Sequence, residues 1–541
     1  MSRPIASAIY VTGTLLVEQP LHVGGAADDV ECDLPLARNG KGQICLPGTS
    51  VTGALRAWTE RRFADQRPLL DAFWGTGPER AKGKASSDEG AASWCWVYDM
   101  PVAAGEGPTD TAQQELWHGI GLNRHSGTVE ERFKFDQMLL PRGTRLPLRM
   151  KIEIPPGDLA ASFKALAGWT LSDLGEGRLR LGRGKSSGRG RIRLCQRSLQ
   201  ILEQSRDEAG VNERLKTLLD EPDRSIFDIG QRLDTKSLKT ESPSLTPGDI
   251  GELQISISWR PVTAVMHKSD QQGIAVDVLP MVSRVSDTEV ALVINGSGIR
   301  GAFRSQAERI VRTLEQLSVP KPTPEPLADQ LQVPLVESLW GAVADKDRRG
   351  SASPLHFESL YATNTPVCAE DWDNLYDIKA EHKPKKATVL RQSLDKLGEP
   401  EGAPRWEQVY NNVVDRWLSR SINLFSRLEP QGVTWPTIDL TLDLDRLDTH
   451  KDAQLAVGLL LLTLQDFAAE RIPLGFGVNR GMGSIEVDSI EFRLQGLSNQ
   501  NTWEWLDTVR LENGRLIGVS EDLMRAWANF WDPKQAEGTL P

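Results

Sequence analysis

The sequence predicts an α+β protein that contains two similar units in tandem. A helix-opening motif occurs twice, as "LPGTSVTGALRAW" at residues 46–58 and as "VINGSGIRGAFRSQ" at residues 293–306. A glycine loop, L-G-x-G-x-x-x-G-x-G-x-I, also occurs twice, at residues 181–192 and 474–485. Because these elements recur in the same order, we interpret the chain as an internal duplication.

A third pair of elements lies upstream of the two helix motifs. His22 precedes Asp33 by eleven residues, and His267 precedes Asp277 by ten. Each aspartate is followed within a few residues by Leu-Pro. We therefore expect the two histidines to be equivalent, and likewise the two aspartates.

The predicted elements follow the same order in both halves. β-Branched residues and alternating polarity predict strands, and Thr49 or Ser50 is suited to cap the first helix. In the first half the order is strand 6–23, helix 51–63, helix 161–174, glycine loop and strand 191–202. In the second half it is strand 252–265, helix 297–317, strand 435–447, helix 452–470, glycine loop and strand 483–494. This pattern predicts two ferredoxin-like βαββαβ domains with large insertions.

Length and composition constrain the class of protein. With 541 residues the chain is too long for one core, and we expect domains at 1–200 and 251–541 with a charged helix and linker at 201–250. Five cysteines without a C-x-x-C pair favour a reducing cytoplasm and no structural zinc site. The most apolar run, residues 455–464, is too short to span a membrane.

The glycine loops do not match the common nucleotide-binding motifs. A Walker A loop requires Lys-Ser/Thr after its second glycine, but Ala54 and Leu55 follow Gly53. A dinucleotide fingerprint requires strand, loop and helix, whereas here the order is helix, loop and strand. Residues 178–193 contain seven basic residues and no acid, which suits a single-stranded nucleic acid. The alternative is that the glycines only permit tight turns against the sheet.

Helix N-termini and glycine loops present backbone N–H groups to phosphates, so both motifs supply candidate RNA-binding residues. In the first half the candidates are Gly48, Thr49, Ser50, Arg56, Gly182, Arg183, Gly184, Lys185, Ser186, Gly188 and Arg189. In the second half they are Gly296, Ser297, Arg300, Arg304, Gly475, Gly477, Asn479, Arg480 and Gly481.

The combined motifs resemble the RAMP superfamily of CRISPR-associated proteins, and most closely the backbone subunits of type III effector complexes. The likeness rests on "HVGGAADDVECDLPLARNGKGQICLPGTSVTGALR" at residues 22–56, "IGLNRHSGTVEERFKFDQMLLPRGT" at residues 120–144 and the glycine loops. The second half departs where Lys268-Ser269 replaces Gly24-Gly25 and Asn295 replaces Pro47. Two such units in one chain are similar to a fused double-backbone subunit of a III-D-like complex.

This resemblance implies RNA-guided antiviral defence. Each half would bind guide (crRNA) and target RNA, and a hairpin "thumb" would interrupt their duplex. Asp33 and Asp277 would then cleave the target as endonuclease residues, with Mg²⁺ or another divalent cation held jointly with RNA. The implied partners are further RAMP backbone subunits and the large polymerase-like subunit, and no membrane is implied.

Two other functions remain open at this point. The chain is a non-catalytic RNA-binding scaffold if both aspartates only bond their own turns. It is a guide-processing endonuclease if His22 or His267 acts as a general base, although a histidine that packs on the helix is the commoner arrangement. Asp28 and Asp29 are secondary acidic candidates near Asp33.

Overall fold

The computed structural model describes residues 3–25, 32–77, 90–102, 114–221, 223–286, 288–319, 327–344, 349–364, 367–376, 386–398, 401–450, 452–496 and 501–531. The chain divides into two compact units. The first unit contains Met1–Trp117, Gln137–Lys185 and Arg189–Asp249, and the second contains His118–Asp136, Ser186–Gly188 and Ile250–Pro541. Two short segments from the first half of the sequence thus belong to the second unit.

The first half contains ten strands and five helices within the described residues. The strands are β1 (Ser7–Val17), β2 (Cys45–Leu46), β3 (Cys95–Val97), β4 (Met100–Pro101), β5 (Glu115–Leu122), β6 (Val129–Leu139), β7 (Arg145–Ile154), β8 (Ile192–Leu194), β9 (Gln200–Ser205) and β10 (Gln231–Leu233). The helices are α1 (Gly48–Arg62), α2 (Arg67–Trp74), α3 (Leu159–Gly175), α4 (Glu208–Asp220) and α5 (Thr235–Thr240).

The second half contributes the remaining described strands and helices. The strands are β11 (Glu252–Pro261), β12 (Val282–Arg284), β13 (Glu289–Ile294), β14 (Leu355–Phe357), β15 (Leu360–Tyr361), β16 (Val367–Cys368), β17 (Arg405–Asp415), β18 (Arg420–Gln431), β19 (Ile438–Asp443), β20 (Ile485–Gln495), β21 (Arg510–Glu512) and β22 (Arg515–Ile517). The helices are α6 (Gly296–Leu314), α7 (Leu327–Gln330), α8 (Val336–Trp340), α9 (Ala369–Asp373), α10 (Lys386–Gly398), α11 (Leu444–Leu447), α12 (Ala453–Ala468) and α13 (Glu521–Trp531).

An antiparallel sheet forms the centre of the first unit. Its strand order is β10-β9-β1-β7-β3, and β8 also pairs with β1. Strand β1 pairs with β7 from Ser7↔Ile154 to Leu16↔Arg145, so β1 is central. The region expected to be a linker supplies strand β10 and helix α5, whose Leu238 is buried in the core of this unit.

The second unit has a four-stranded sheet. The order is β14-β19-β11-β20, and every pairing is antiparallel. Alternate residues of β11 are buried, because one face of a strand packs on the core while the other faces outward. The prediction of an α+β protein is therefore confirmed, and the main sheets are antiparallel.

In each unit an equivalent hydrogen bond, from a side chain on the first main helix to an aspartate on the second, joins the two helices. Trp58 on α1 donates its Nε1 hydrogen to Asp173 Oδ2 on α3, over 2.8 Å. Gln306 on α6 donates to Asp466 Oδ2 on α12, over 2.6 Å. Helix α1 begins at Gly48 with Pro47 as its N-cap and has no side-chain cap, which differs from the expectation that Thr49 or Ser50 would cap it.

Two long β-hairpins complete the pattern. Strands β5 and β6 form the first hairpin, and strands β17 and β18 form the second. The second hairpin pairs from Arg405↔Gln431 to Asp415↔Arg420. No described helix is long and apolar enough to cross a membrane.

Candidate functional sites

The two glycine loops have the same backbone conformation. All eight loop glycines have φ between +72° and +88°, a region that side chains other than glycine rarely adopt. A short 3-10 turn occupies the middle of each loop, at Lys185–Ser187 and at Val478–Arg480. The repeated sequence therefore encodes a repeated shape.

The outer glycines of each loop permit close packing against the strand end. A Cβ at Gly182 would lie 1.9 Å from the carbonyl oxygen of His22, and one at Gly475 would lie 2.4 Å from that of Met266. Gly190 closes the first loop, where a Cβ would lie 1.9 Å from Leu181 O. Glycine at these positions is required by the turn, as expected if the glycines permit tight turns against the sheet.

The exposed part of the first loop is cationic. Arg183 and Lys185 are both exposed, whereas Gly184 and Ser186 are partly buried. In the second loop Asn479, Arg480 and Gly481 are exposed, and Gly477 is partly buried. The first loop therefore offers two exposed cations and the second offers one.

Acidic and polar neighbours pair with several basic residues near the first loop. Glu18 contacts Arg191 at 3.3 Å and Arg193 at 2.7 Å. Arg189 donates to Gln137 and lies 5.3 Å from the ring of Trp117. Fewer basic side chains are therefore available to a phosphate chain than the seven in residues 178–193 suggested. No sequence pattern indicated that Glu18 would pair with two of them.

Arg480 lies over an aromatic ring at the base of the second hairpin. Its guanidinium carbon is 5.0 Å from the ring centre of Phe425 on β18, within the range of a cation–π contact. This contact orients an exposed cation beside the hairpin. A cation and an aromatic face together suit a phosphate and its adjoining base.

Protein groups occupy the first backbone donor of each motif helix. Gly48 donates its N–H to Asp99 Oδ1 at 2.8 Å, and Gly296 donates its N–H to Ser359 Oγ at 3.0 Å. Both glycines are buried, while Thr49 and Ser297 are exposed and Ser50 is partly buried. The carboxylate of Asp99 provides the anion that we had expected from a phosphate at this helix start.

The three helix arginines contact protein groups. Arg56 and Arg304 each pair with the glutamate four residues later, Glu60 at 3.0 Å and Glu308 at 2.7 Å. Arg300 donates to the carbonyl oxygen of Trp340 at 2.5 Å, and burial lowers its pKa to about 10. The geometry assigns these side chains to packing, which differs from the RNA-binding role expected of them.

Gly188 and the tip of the first loop are part of the second unit. A Cβ at Gly188 would lie 2.5 Å from Ser359 N, and a Cβ at Gly296 would lie 2.7 Å from Ser187 O. Ser359 Oγ also approaches Gly188 O, at 3.4 Å. Gly188 is therefore covered by protein, contrary to its expected place in an RNA-binding surface.

The two candidate aspartates occupy equivalent positions at the bases of the hairpins. Asp33 precedes Leu34, which forms a parallel bridge with Gln137 on β6. Asp277 precedes Val278, which forms a parallel bridge with Arg427 on β18. Because the next hydrogen bonds also match, Met138 N to Leu34 O and Leu428 N to Val278 O, the two aspartates are related by the duplication.

Both aspartates are exposed, and Asp277 is additionally held by the hairpin. Its Oδ2 accepts a hydrogen bond from Ser426 N at 2.7 Å and lies 3.3 Å from Ser426 Oγ. This contact fixes the direction of the carboxylate and leaves Oδ1 for a ligand. Ser426 lies far along the chain from Asp277, so no local pattern could have indicated it. Asp28 and Asp29 lie outside the described residues.

The histidines are not equivalent, contrary to the expectation from the repeat. Arg183 N donates to His22 O in the first unit, and Phe476 N donates to Met266 O in the second. His22 is therefore equivalent to Met266, and His267 is displaced by one residue. A one-residue shift in an extended segment turns the side chain to the opposite side.

Both histidines have structural contacts. His22 Nδ1 lies 2.8 Å from Met138 O, and burial is the main cause that lowers its pKa. His267 Nδ1 accepts the N–H of Asn295 at 3.0 Å, and a Cβ at Gly298 would lie 2.3 Å from its ring. Burial lowers the pKa of His267 to about 4. The geometry fits a neutral histidine that packs on helix α6.

Within the described ranges, no three His, Cys, Asp or Glu side chains converge to hold a metal ion. One or two protein carboxylates are fewer than the ligands that Mg²⁺ or Ca²⁺ requires. A divalent cation at Asp277 would therefore depend on oxygens from another molecule.

Comparison with known proteins identifies the family. The family model described as "RAMP superfamily" matches residues 14–193 and residues 237–486. No curated protein is significantly similar to the chain. Because the two matches cover most of the sequence, the chain belongs to the RAMP superfamily, and it contains two RAMP regions. Membership indicates a CRISPR-associated RNA-binding protein.

Proposed function

We propose that this chain is a fused double-backbone subunit of a type III, III-D-like CRISPR effector and that each half binds guide RNA. The observation that carries the proposal is the pair of glycine loops with one shape and exposed cations at their centres. Guide and target RNA are its nucleic-acid partners, and further RAMP subunits and the polymerase-like subunit are its protein partners. We keep a cytoplasmic location as a prediction.

We propose further that each RAMP region is a ferredoxin-like domain. The strand orders support it: β9-β1-β7-β3 and β20-β11-β19-β14 both give the order fourth, first, third, second for the βαββαβ plan. Helices α1 and α3, or α6 and α12, lie between the corresponding strands along the chain.

RNA binding is tested with the full-length chain and labelled single-stranded RNA at several salt concentrations. We expect the double variant Arg183→Ala, Lys185→Ala to lower the slope of log affinity against log salt by about 1.4, since each lost phosphate contact removes about 0.7. Arg480→Ala should lower it by about 0.7. Arg391→Ala on α10 changes an exposed cation outside the loops and is the matched control. Unchanged slopes in both loop variants would refute binding through these loops.

Cleavage of the target RNA by Asp33 and Asp277 is the second part of the proposal. The 2′-oxygen of the target attacks the adjacent phosphorus, the bond to the 5′-oxygen breaks, and a cyclic phosphate and a 5′-hydroxyl result. The attack requires removal of the 2′-hydroxyl proton and an in-line geometry. The fixed carboxylate of Asp277 supplies a proton acceptor at a defined place beside the hairpin.

A divalent cation would stabilise the charge that develops on the phosphate. Asp277 Oδ1, together with RNA phosphate oxygens, would hold it. The test is incubation of the complex of full-length chain, partner subunits and guide with labelled complementary RNA, with Mg²⁺ or with a chelator. We expect Mg²⁺-dependent cutting and recovery on re-addition of the ion. Equal cutting in chelator would remove the cation from the proposal.

A non-catalytic scaffold is the second candidate, and the hydrogen bonds from Ser426 to Asp277 favour it. A carboxylate that accepts a backbone N–H stabilises its own loop without any reaction. In this case Asp277→Asn would change the stability of the loop but leave every cleavage product in place. The guide-processing alternative has less support, because both histidines are engaged in packing.

A further inference from the structure

The central sheet of the first unit packs on helices with one face, and its other face is partly exposed. On β7, Leu148 and Met150 are buried in the same core as Phe163 of helix α3. Because side chains alternate along a strand, Arg149 and Lys151 lie on the opposite face. Arg149 is exposed and Lys151 is partly buried. We call this opposite face the outer sheet face.

Two aromatic side chains lie beside these cations, at the edge of the sheet formed by β3. Trp96 on β3 pairs with Lys151, and Tyr98 just beyond β3 donates its N–H to Arg149 O at 3.0 Å. Trp96 is 38% exposed and Tyr98 is 44% exposed. Two aromatic–cation pairs thus lie two residues apart along the strands, a separation of about 7 Å.

Neighbouring rings and charges hold these side chains in place. Lys151 Nζ and Arg3 Cζ lie 5.2 and 5.1 Å from the ring centre of Trp96. Glu153 pairs with both cations, at 2.7 and 3.1 Å. The ring of Phe227 packs against that of Tyr98 in an edge contact, with the ring centres 5.5 Å apart. The outer sheet face is therefore preorganised, which lowers the entropic cost of binding a ligand.

Basic residues extend across the outer sheet face. One row of paired residues crosses the whole sheet and has a cation near each end: Arg232, Leu202, Tyr10, Lys151 and Trp96. Arg145 lies on the same face, because it is separated from Arg149 by an even number of residues along β7. Sheets that bind single strands stack bases on aromatic side chains and hold the phosphates with cations. The outer sheet face combines both residue types.

The corresponding face of the second unit has acids in place of these cations. Strand β19 pairs with β11, as β7 pairs with β1. Asp439 on β19 and Glu491 on β20 both pair with Ser256 of β11, and both acids are exposed. Acids repel phosphates, so the shared sheet architecture alone does not account for the rings and cations of the first unit.

We propose that the outer sheet face of the first unit binds a single-stranded nucleic acid. Trp96 and Tyr98 stack on two of its bases. Arg149 and Lys151 bind the adjoining phosphates, and the row that leads to Arg232 continues the path across the sheet.

This site lies apart from the first glycine loop. The loop leads into β8, which pairs with β1 at Leu15–Val17. The outer sheet face instead centres on the part of β7 that pairs with Tyr10 and Thr12. The proposal therefore goes beyond the binding of guide RNA by the loops and does not depend on it.

The test is fluorescence anisotropy with a labelled single strand of about ten nucleotides, at several salt concentrations. The full-length chain carries Arg183→Ala, Lys185→Ala and Arg480→Ala, so that the loop cations do not contribute. We expect this background to bind the strand. Adding Trp96→Ala should weaken binding at least about fivefold at every salt concentration, through loss of a stacked base. Adding Arg149→Ala should lower the slope of log affinity against log salt by about 0.7.

Aromatic controls separate stacking from a change of fold. Tyr98→Ala should weaken binding as Trp96→Ala does, whereas Phe530→Ala, which removes a ring of similar exposure from α13, should leave it unchanged. An abasic strand retains the phosphates alone, so Trp96→Ala should not alter its affinity.

RNA and DNA strands of the same sequence form the two arms of the experiment, because both offer bases and phosphates. A loss on Trp96→Ala in either arm supports the site, and the arm with the tighter complex identifies the ligand. The proposal is overturned if the background binds neither strand, if Trp96→Ala and Tyr98→Ala bind like the background, or if the abasic strand loses affinity equally.

Discussion

In the first unit the carboxylate of Asp99 accepts the N–H of Gly48, whereas in the second unit the hydroxyl of Ser359 accepts the N–H of Gly296. The same contrast recurs at the helix pair, where an indole in one unit and an amide in the other bond an aspartate. The hydrogen bonds are preserved at equivalent positions, while the side chains that form them differ. Duplicated units thus retain geometry more strictly than residue identity, and each pair of matched positions provides an internal control.

The largest difference that we expect is in the loss of stability when the aspartate that joins the two main helices of a unit is replaced. Asp173 pairs with Arg62 at 3.2 Å, and both side chains are almost fully buried. Asp466 pairs with Arg471, whose side chain is 68% exposed. Asp173→Ala should lower the free energy of unfolding by about 3–5 kcal/mol, because it leaves a buried guanidinium unpaired.

Asp466→Ala is the matched control and should cost about 1–2 kcal/mol, mainly through the lost bond from Gln306. Denaturant unfolding of the full-length variants measures both changes. Equal losses would show that burial of the arginine does not distinguish the two helix pairs.

The next effect concerns glycines within one loop. Gly190 and Gly184 have the same φ of +78°, but a Cβ at Gly190 would meet Leu181 O at 1.9 Å, while one at Gly184 would meet only the flexible Arg189 side chain at 3.0 Å. Gly190→Ala should cost about 3 kcal/mol and Gly184→Ala about 1 kcal/mol. Thermal unfolding separates these values, and a Gly184 variant as unstable as the Gly190 variant would contradict the assigned division of roles.

Acid should destabilise the second half through His267. Burial lowers its pKa from 6.5 to about 4, so the unfolded chain binds a proton in the range between these values that the folded chain does not. The stabilising contribution is complete above about pH 6.5 and falls as the pH drops toward 4. Between pH 7 and pH 5 the loss should be about 2 kcal/mol.

His267→Gln removes the titrating group and should flatten this part of the pH profile. The measurement is denaturant unfolding of wild type and variant at pH 7, 6 and 5. A variant with the full wild-type dependence on pH would place the titration elsewhere.

The smallest effect that we expect comes from an acidic side chain that lies beside the first glycine loop and has no equivalent beside the second. Glu18 pairs with Arg191 and Arg193, whereas the equivalent backbone position in the second half is Val262, whose N–H bonds Ser484. Glu18→Gln should raise affinity for single-stranded RNA about threefold at low salt, with the gain vanishing at high salt. Fluorescence anisotropy with labelled RNA measures it. A gain that persists in high salt would point to a change of shape and not of charge.

Much of the fold could be predicted from periodicity and from the repeated glycines, because both report local backbone requirements. The equivalence of Asp33 and Asp277 could also be predicted from the order of the motifs. The histidines were misaligned because the spacing from histidine to aspartate differs by one residue, which a motif comparison without hydrogen bonds does not resolve. The partners Asp99, Glu18 and Ser426 could not be predicted, since each reaches its contact from a distant part of the sequence.

The two halves carry equivalent aspartates at the bases of their hairpins. The most direct test is a sequencing gel of labelled complementary RNA cut by the reconstituted guide complex, with wild type, Asp33→Asn, Asp277→Asn and the double variant. We predict that each single substitution removes one product and leaves the other product and RNA binding intact, and that the double variant loses both. Survival of both products in the double variant would contradict it, and would make this chain a scaffold whose neighbours do the cutting.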